Sequence, residues 1–132
     1  MLFRSLGADG LPVISYYDVT NADLKVAKCV NAACTGVSTL TAVDSAGNVG
    51  QHTSITLGAD GLPVISYYGN SALKVAKCVN AACTGASILS TLDSVGDVGP
   101  YTSITLGADG LPVISYFDVT NGDLKEIGRA HV

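Results

Sequence analysis

With 132 residues, 14% of them charged and 48% apolar, the chain is long enough for one modest domain and too apolar for disorder. Seven Lys and Arg against eleven Asp and Glu give a net charge of −4, and the basic residues form no cluster, which argues against nucleic acid as a partner. No apolar run approaches the ~18 residues of a membrane span, so no membrane partner is expected.

The chain begins out of register with itself. Leu-Gly-Ala-Asp-Gly-Leu-Pro-Val-Ile-Ser-Tyr occurs at residues 6–16, 57–67 and 106–116, starts that lie 51 and 49 residues apart. Such a period is the mark of a repeat architecture. The later copies are preceded by Thr53-Ser54-Ile55-Thr56 and Thr102-Ser103-Ile104-Thr105, whereas the first follows Leu2-Phe3-Arg4-Ser5, with Arg4 in an isoleucine position. No secretory leader is legible in Met-Leu-Phe-Arg, and this N-terminus reads as cut.

The middle copy defines the unit. Ser54 to Leu57 alternates polar and branched residues, which predicts a strand. Gly58-Ala59-Asp60-Gly61 is a turn, since Gly and Asp tolerate positive φ. Leu62 to Tyr68 is a second strand with Pro63 at its start, where a missing N–H costs least. Val64, Ser66 and Tyr68 share one face, Ile65 and Tyr67 the other, so both faces of the sheet should be covered. The loop Gly69-Asn70-Ser71 leads to a third strand, Leu73 to Cys78; Val79-Asn80-Ala81-Ala82 makes a hairpin; Cys83 onward, through Leu92, is a fourth strand. Residues 93–100 return to the next copy. The first copy joins its second and third strands through a loop longer by two, as an exposed connection allows. No stretch has a 3.6-residue apolar period, and the chain reads as all-β.

Four antiparallel strands per unit of about 50 residues match the blade of a β-propeller. The Asp-x-x-Gly turn, the Pro-Val-Ile-Ser-Tyr-Tyr-Asp strand and the Asn-x-Asp-Leu-Lys that follows resemble repeats of large secreted bacterial β-propellers of the sialidase-like group. The chain has no Trp, so it carries neither a tryptophan-ended Asp-box nor a Trp-Asp signature. The resemblance implies a propeller fragment of about two and a half blades: residues 1–53, residues 54–102 and a partial blade over 103–125. A solenoid is the structural alternative. Residues 126–132 leave the repeat and resemble the in-frame translation of a sequencing adapter, so they are set aside as a non-native tail. Closed propellers have typically 4 to 8 blades, so further blades of a parent chain, or a homo-oligomer, are the expected partners.

Cys29-Val-Asn-Ala-Ala-Cys34 and Cys78-Val-Asn-Ala-Ala-Cys83 place two thiols across a short hairpin loop, within reach of one disulfide per blade. Disulfides would indicate an oxidising, extracellular or cell-surface location; free buried thiols and a zinc site are the alternatives, although no repeated His accompanies the pairs. The end of the blade opposite the cysteines offers Tyr17, Asp18, Asn21, Asp23, Asp44, Asn48, Gln51, Asp93, Asp97 and Tyr101 as a binding face. Asp, Asn and Tyr suit sugar hydroxyls, and clustered carboxylates suit Ca²⁺, although no cofactor is expected. The plain structural alternative is that Asp and Asn form Asx-turns and Tyr packs between blades. His52, replaced by Tyr101 in the next copy, is expected to be a surface residue. Outside residues 126–132 the chain has one Arg and no Glu, too little for a sialidase-type site. The functional readings are therefore a non-catalytic structural or interaction module, a glycan-binding lectin, or part of a glycoside hydrolase whose catalytic residues lie elsewhere.

Overall fold

The computed structural model describes residues 3–36, 38–128 and 130. Its strands are β1 (Phe3–Leu6), β2 (Pro12–Asp18), β3 (Asp23–Lys28), β4 (Thr39–Asp44), β5 (Val49–Leu57), β6 (Pro63–Gly69), β7 (Ala72–Lys77), β8 (Ile88–Asp93), β9 (Ser103–Leu106), β10 (Pro112–Asp118) and β11 (Asp123–Ile127). They form three antiparallel sheets in chain order, β1-β2-β3-β4, β5-β6-β7-β8 and β9-β10-β11. The all-β expectation and the order of strands within a unit both hold.

The same hairpin opens each sheet. Leu6, Leu57 and Leu106 pair with Pro12, Pro63 and Pro112. Gly7 N–H donates to the Leu11 carbonyl at 2.7 Å, and Leu11 N–H donates to Asp9 Oδ1 at 3.0 Å, so the turn Asp supplies an acceptor that the local backbone lacks. Asp60 and Asp109 repeat this bond to Leu62 and Leu111.

Three features differ from the sequence reading. β5 starts at Val49, five residues before the expected Ser54, because register shifts between Val49 and Gln51 and between Gln51 and Ser54 bend the strand and interrupt its period of two. The boundary between the first two sheets therefore falls before Val49. The β3–β4 connection spans residues 29–38 rather than a four-residue hairpin. The Asn31 amide folds it by donating to the Thr35 carbonyl at 2.7 Å and accepting from Thr35 N–H at 3.0 Å. Cys29–Cys34 and Cys78–Cys83 are disulfide-bonded with Cα separations of 5.0 and 4.9 Å, but Cys34 and Cys83 lie in the loops, at φ of 56° and 57°, and not in the fourth strands. Finally, Glu126 and Ile127 continue β11 opposite Ser115 and Ile114. Ala130 N–H reaches the Pro112 carbonyl, the bond that Cys29 and Cys78 make to Pro12 and Pro63.

The sheets stack face to face. Val13, Leu24 and Val26 of the first pack on Val49, Ile55, Ile65, Tyr67 and Ala76 of the second. Val64, Leu73 and Val75 of the second pack on Val98, Ile104, Ile114 and Tyr116 around the third. The two cores are register copies of each other, and among the described residues the middle sheet alone is buried on both faces. Leu24 and Leu73 are 0% exposed, whereas Leu124, at the same repeat position on the outer face of the third sheet, is 84% exposed.

Candidate functional site

Chain direction sorts the loops into two ends. The Gly-Ala-Asp-Gly turns and the disulfide loops share one, and there the copies are identical over residues 57–67 and 106–116 and over 29–36 and 78–85. Lys28 Nζ to Asp9 Oδ1 at 2.8 Å and Lys77 Nζ to Asp60 Oδ1 at 2.7 Å tie the turn to the third strand. A groove of about 500 Å³ at this end, between the second and third sheets, is lined by Asp60, Val64, Lys77, Leu111, Pro112 and Ala130. In the first junction the matching space is packed by Cys78 and Cys83, which join the Val13 core; the third unit has no cysteine pair to fill it.

The copies differ along their fourth strands and again at the opposite end: Asn48 against Asp97, Gln51 against Pro100, His52 against Tyr101, Tyr68 against Phe117. In repeat proteins, insertions map to the loops of one face, often the binding face, and the loop between the second and third strands, longer by two in the first copy than in the second, lies here. Most sequence-selected residues sit here, in two distinct roles.

The first role is joining sheets. The buried Tyr67 hydroxyl donates to Asp44 Oδ2 at 2.7 Å, and Tyr116 donates to Asp93 Oδ2 at 2.8 Å. Burial and the facing carboxylate push both phenols up, so each remains a protonated donor. Lys125 Nζ approaches Asp93 at 3.0 Å and Lys74 approaches Asp44 at 4.0 Å. Asp44 and Asp93 thus turn their oxygens into the sheet junctions, where they act as latches. Tyr17 donates to Asn48 Oδ1 at 2.6 Å, and Tyr68 to Asp97 Oδ1 at 2.5 Å, closing the same junctions nearer the loops. Asp18 accepts from the backbone of Thr20 and Asn21 and from the Asn21 amide, an Asx-turn that Asp118 repeats with Asn121. Asp23 opens β3 opposite Asp18. Among the described residues no three His, Cys, Asp or Glu side chains gather as a metal-ligand set.

Acid should loosen these latches. Burial raises the Asp93 carboxyl, but the Tyr116 hydroxyl, the Val95 amide and Lys125 together outweigh it and hold the group below its ordinary value. A carboxylate depressed in the fold stabilises it above the unfolded value of about 3.9, and that contribution is lost as pH falls through the folded value. The thermal midpoint should therefore drop between about pH 5 and pH 2, and Asp93→Asn should make the decline shallower. Parallel melting curves for the two proteins check this; superimposable acid limbs would remove Asp93 from the network.

The second role belongs to a row of rings. His52 and Tyr101 adopt φ of 53° and 57°, a left-handed backbone that bulky residues seldom take. The β5 register shifts force this conformation on His52 and turn its ring onto that of Tyr101, 4.4 Å away and tilted by 53°. Tyr68 flanks His52 at 6.3 Å and Phe117 flanks Tyr101 at 6.4 Å, both edge-on. The row Tyr68–His52–Tyr101–Phe117 thus crosses from the second sheet to the third, with Tyr101 69% exposed and the other rings half-buried. Gln51 lies beside it, paired with Tyr68. His52 is therefore part of a built surface and not an isolated surface side chain. Burial lowers its pKa, favouring the neutral ring. The sequence carried no glycine or asparagine to announce a positive φ; the one visible signal was that two large rings, His and Tyr, exchange at one repeat position.

No family model matches the chain, and no curated protein does. Among solved structures it is similar to a fucose lectin from Kordia zhangzhouensis in complex with methyl-fucoside, with a TM-score of 0.59 and 12% identity over 96% of this chain and 90% of that one. At that identity the likeness is one of fold.

Proposed function

We propose that the chain is a non-catalytic glycan-binding module, its three sheets being successive blades of a β-propeller. The observation that carries this reading is the aromatic row held by left-handed backbone at His52 and Tyr101. Strained backbone persists only where the surrounding structure enforces it, and it concentrates at ligand sites. Exposed rings offer dispersion contacts to the C–H face of a pyranose, while Asn, Gln and Asp nearby supply directional bonds to its hydroxyls. The fold likeness to a fucose lectin supports the same reading. The two disulfides support an extracellular location. A second reading, an interaction module built to stack on further blades, is favoured by the exposed Leu124.

On a glycan array the chain should bind, and Tyr101→Ala with His52→Ala should remove the signal while leaving the unfolding midpoint within about 2–4 °C of the parent, as surface changes do. Retention of full binding by the doubly substituted protein would refute the site. An array without signal for a folded, soluble chain would refute the glycan reading.

A further inference from the structure

Resting on that reading, we infer that the row accepts an extended, uncharged glycan chain laid across the junction of the second and third sheets. Two independent observations lead there, the shape of the surface and its charge. Sites that recognise a single small ligand are concave and bury most of its surface. The groove of about 500 Å³ is at the other end of the sheets, whereas the row lies at the surface, with Tyr101 69% exposed and the other three rings half-buried. An open row touches only one face of each sugar, so each unit contributes little, and affinity must come from several linked units engaging successive rings. The row has that form: Tyr68, His52, Tyr101 and Phe117 follow one another with centroid spacings of 6.3, 4.4 and 6.4 Å. Tilts of 53–61° between neighbouring planes present faces and edges in turn, which suits a chain whose sugars alternate in orientation.

Charge narrows the class. Asp18, Asp23, Asp44, Asp93, Asp97, Asp118 and Asp123 all lie at this end, at strand termini or in the return loops, against Lys25, Lys74 and Lys125. Asp18 is held below its ordinary value by the Asn21 side chain, and Asp118 likewise by that of Asn121, so these carboxylates stay ionised at neutral pH. All three lysines face carboxylates of this set within 4.0 Å. A polyanionic glycan would meet uncompensated negative charge, and like charges across an interface suppress the wrong partner.

The test is affinity electrophoresis of the whole chain through gels containing β-glucan, mannan or galactan, and through gels containing heparin or polygalacturonate. Calorimetry follows, with the monosaccharide and the hexasaccharide of whichever polymer retards it. Retardation by a neutral polymer, none by the anionic ones, and a hexasaccharide bound about tenfold or more tighter than the monosaccharide is the expected result; Tyr101→Ala should abolish the retardation with the melting curve unchanged. Equal affinity for monosaccharide and hexasaccharide, or equal retardation by heparin, would overturn the extended, uncharged ligand while leaving glycan binding intact. No retardation by any polymer, together with a silent glycan array, would overturn both.

Discussion

Leu73→Ala should destabilise the chain by about 2–5 kcal/mol, while Leu124→Ala should change its stability by less than about 0.5 kcal/mol, although the two leucines hold the same place in their repeats. The contrast follows from stacking. Leu73 is 0% exposed because Gly99 and Val98, on the way into β9, lie over it; Leu24 is covered in the same manner by Gly50 and Val49. Removing either side chain deletes its transfer free energy and leaves a cavity between two sheets that cannot close on it. Leu124 stands 84% exposed on the outer face of the third sheet, where truncation removes only solvated methyl groups. Denaturant titration of the two variants beside the parent, at one protein concentration, reads the differences directly. A loss at Leu124 comparable to that at Leu73 would mean that another sheet covers the third one in solution, and the loss should then vary with concentration. The series therefore also tests the interaction-module reading without knowledge of any ligand.

Local chemistry was legible in the sequence; the outcome of long-range contacts was not. The turn Asp9, Asp60 and Asp109, the prolines that open β2, β6 and β10, and the alternation through Val64 to Tyr68 each encode their element within a few residues. Even the coverage of both faces of β6 followed from Val64 and Ser66 on one side and Ile65 and Tyr67 on the other, all buried. The start of β5 was hidden because its first residue is tied both to β6 and to the turn of the preceding sheet. Val49 N–H bonds the Ala22 carbonyl of the preceding turn, and the strand then jogs twice to join β6. The cysteine pairing was legible from spacing, but not the length of the β3–β4 loop, because the Asn31–Thr35 bonds that fold it compete with any strand starting at Cys34. At the candidate site, sequence pointed to the end of the sheets where the aromatic row lies, but not to the division of labour there. Asp44 and Asp93 look like loop acids until Tyr67 and Tyr116, each 23 residues downstream, are seen to bond them across a junction. His52 looked incidental for the same reason: its significance lies in a ring 49 positions away.

Gly99→Ala should cost about 3 kcal/mol or more, and Gly50→Ala at least as much, against about 1 kcal/mol for Gly122→Ala. All three glycines have positive φ, at 115°, 107° and 71°, so backbone preference penalises each substitution. Space distinguishes them. A Cβ on Gly99 would lie 2.9 Å from the Leu73 Cα and N and 3.0 Å from the Ala72 carbonyl oxygen; on Gly50 it would lie 2.6 Å from the Leu24 Cα; around Gly122 nothing stands within 4 Å. These neighbours are main chain of the adjacent sheet and cannot rotate away, so an added methyl must separate the sheets where the junctions are tightest. Separation would lengthen the Tyr116–Asp93 and Tyr68–Asp97 bonds at the second junction and the Tyr67–Asp44 and Tyr17–Asn48 bonds at the first. It would also displace the backbone that aims His52 and Tyr101 at each other, so Gly99→Ala should weaken the proposed glycan binding as well. Because Gly50 and Gly99 serve different junctions, their costs should add to within about 0.5 kcal/mol in the double variant. Chemical denaturation of the four proteins decides the matter: if Gly99→Ala proves as mild as Gly122→Ala, the close approach of backbones across the junction does not exist in solution, and the stacked arrangement that builds the aromatic row fails with it.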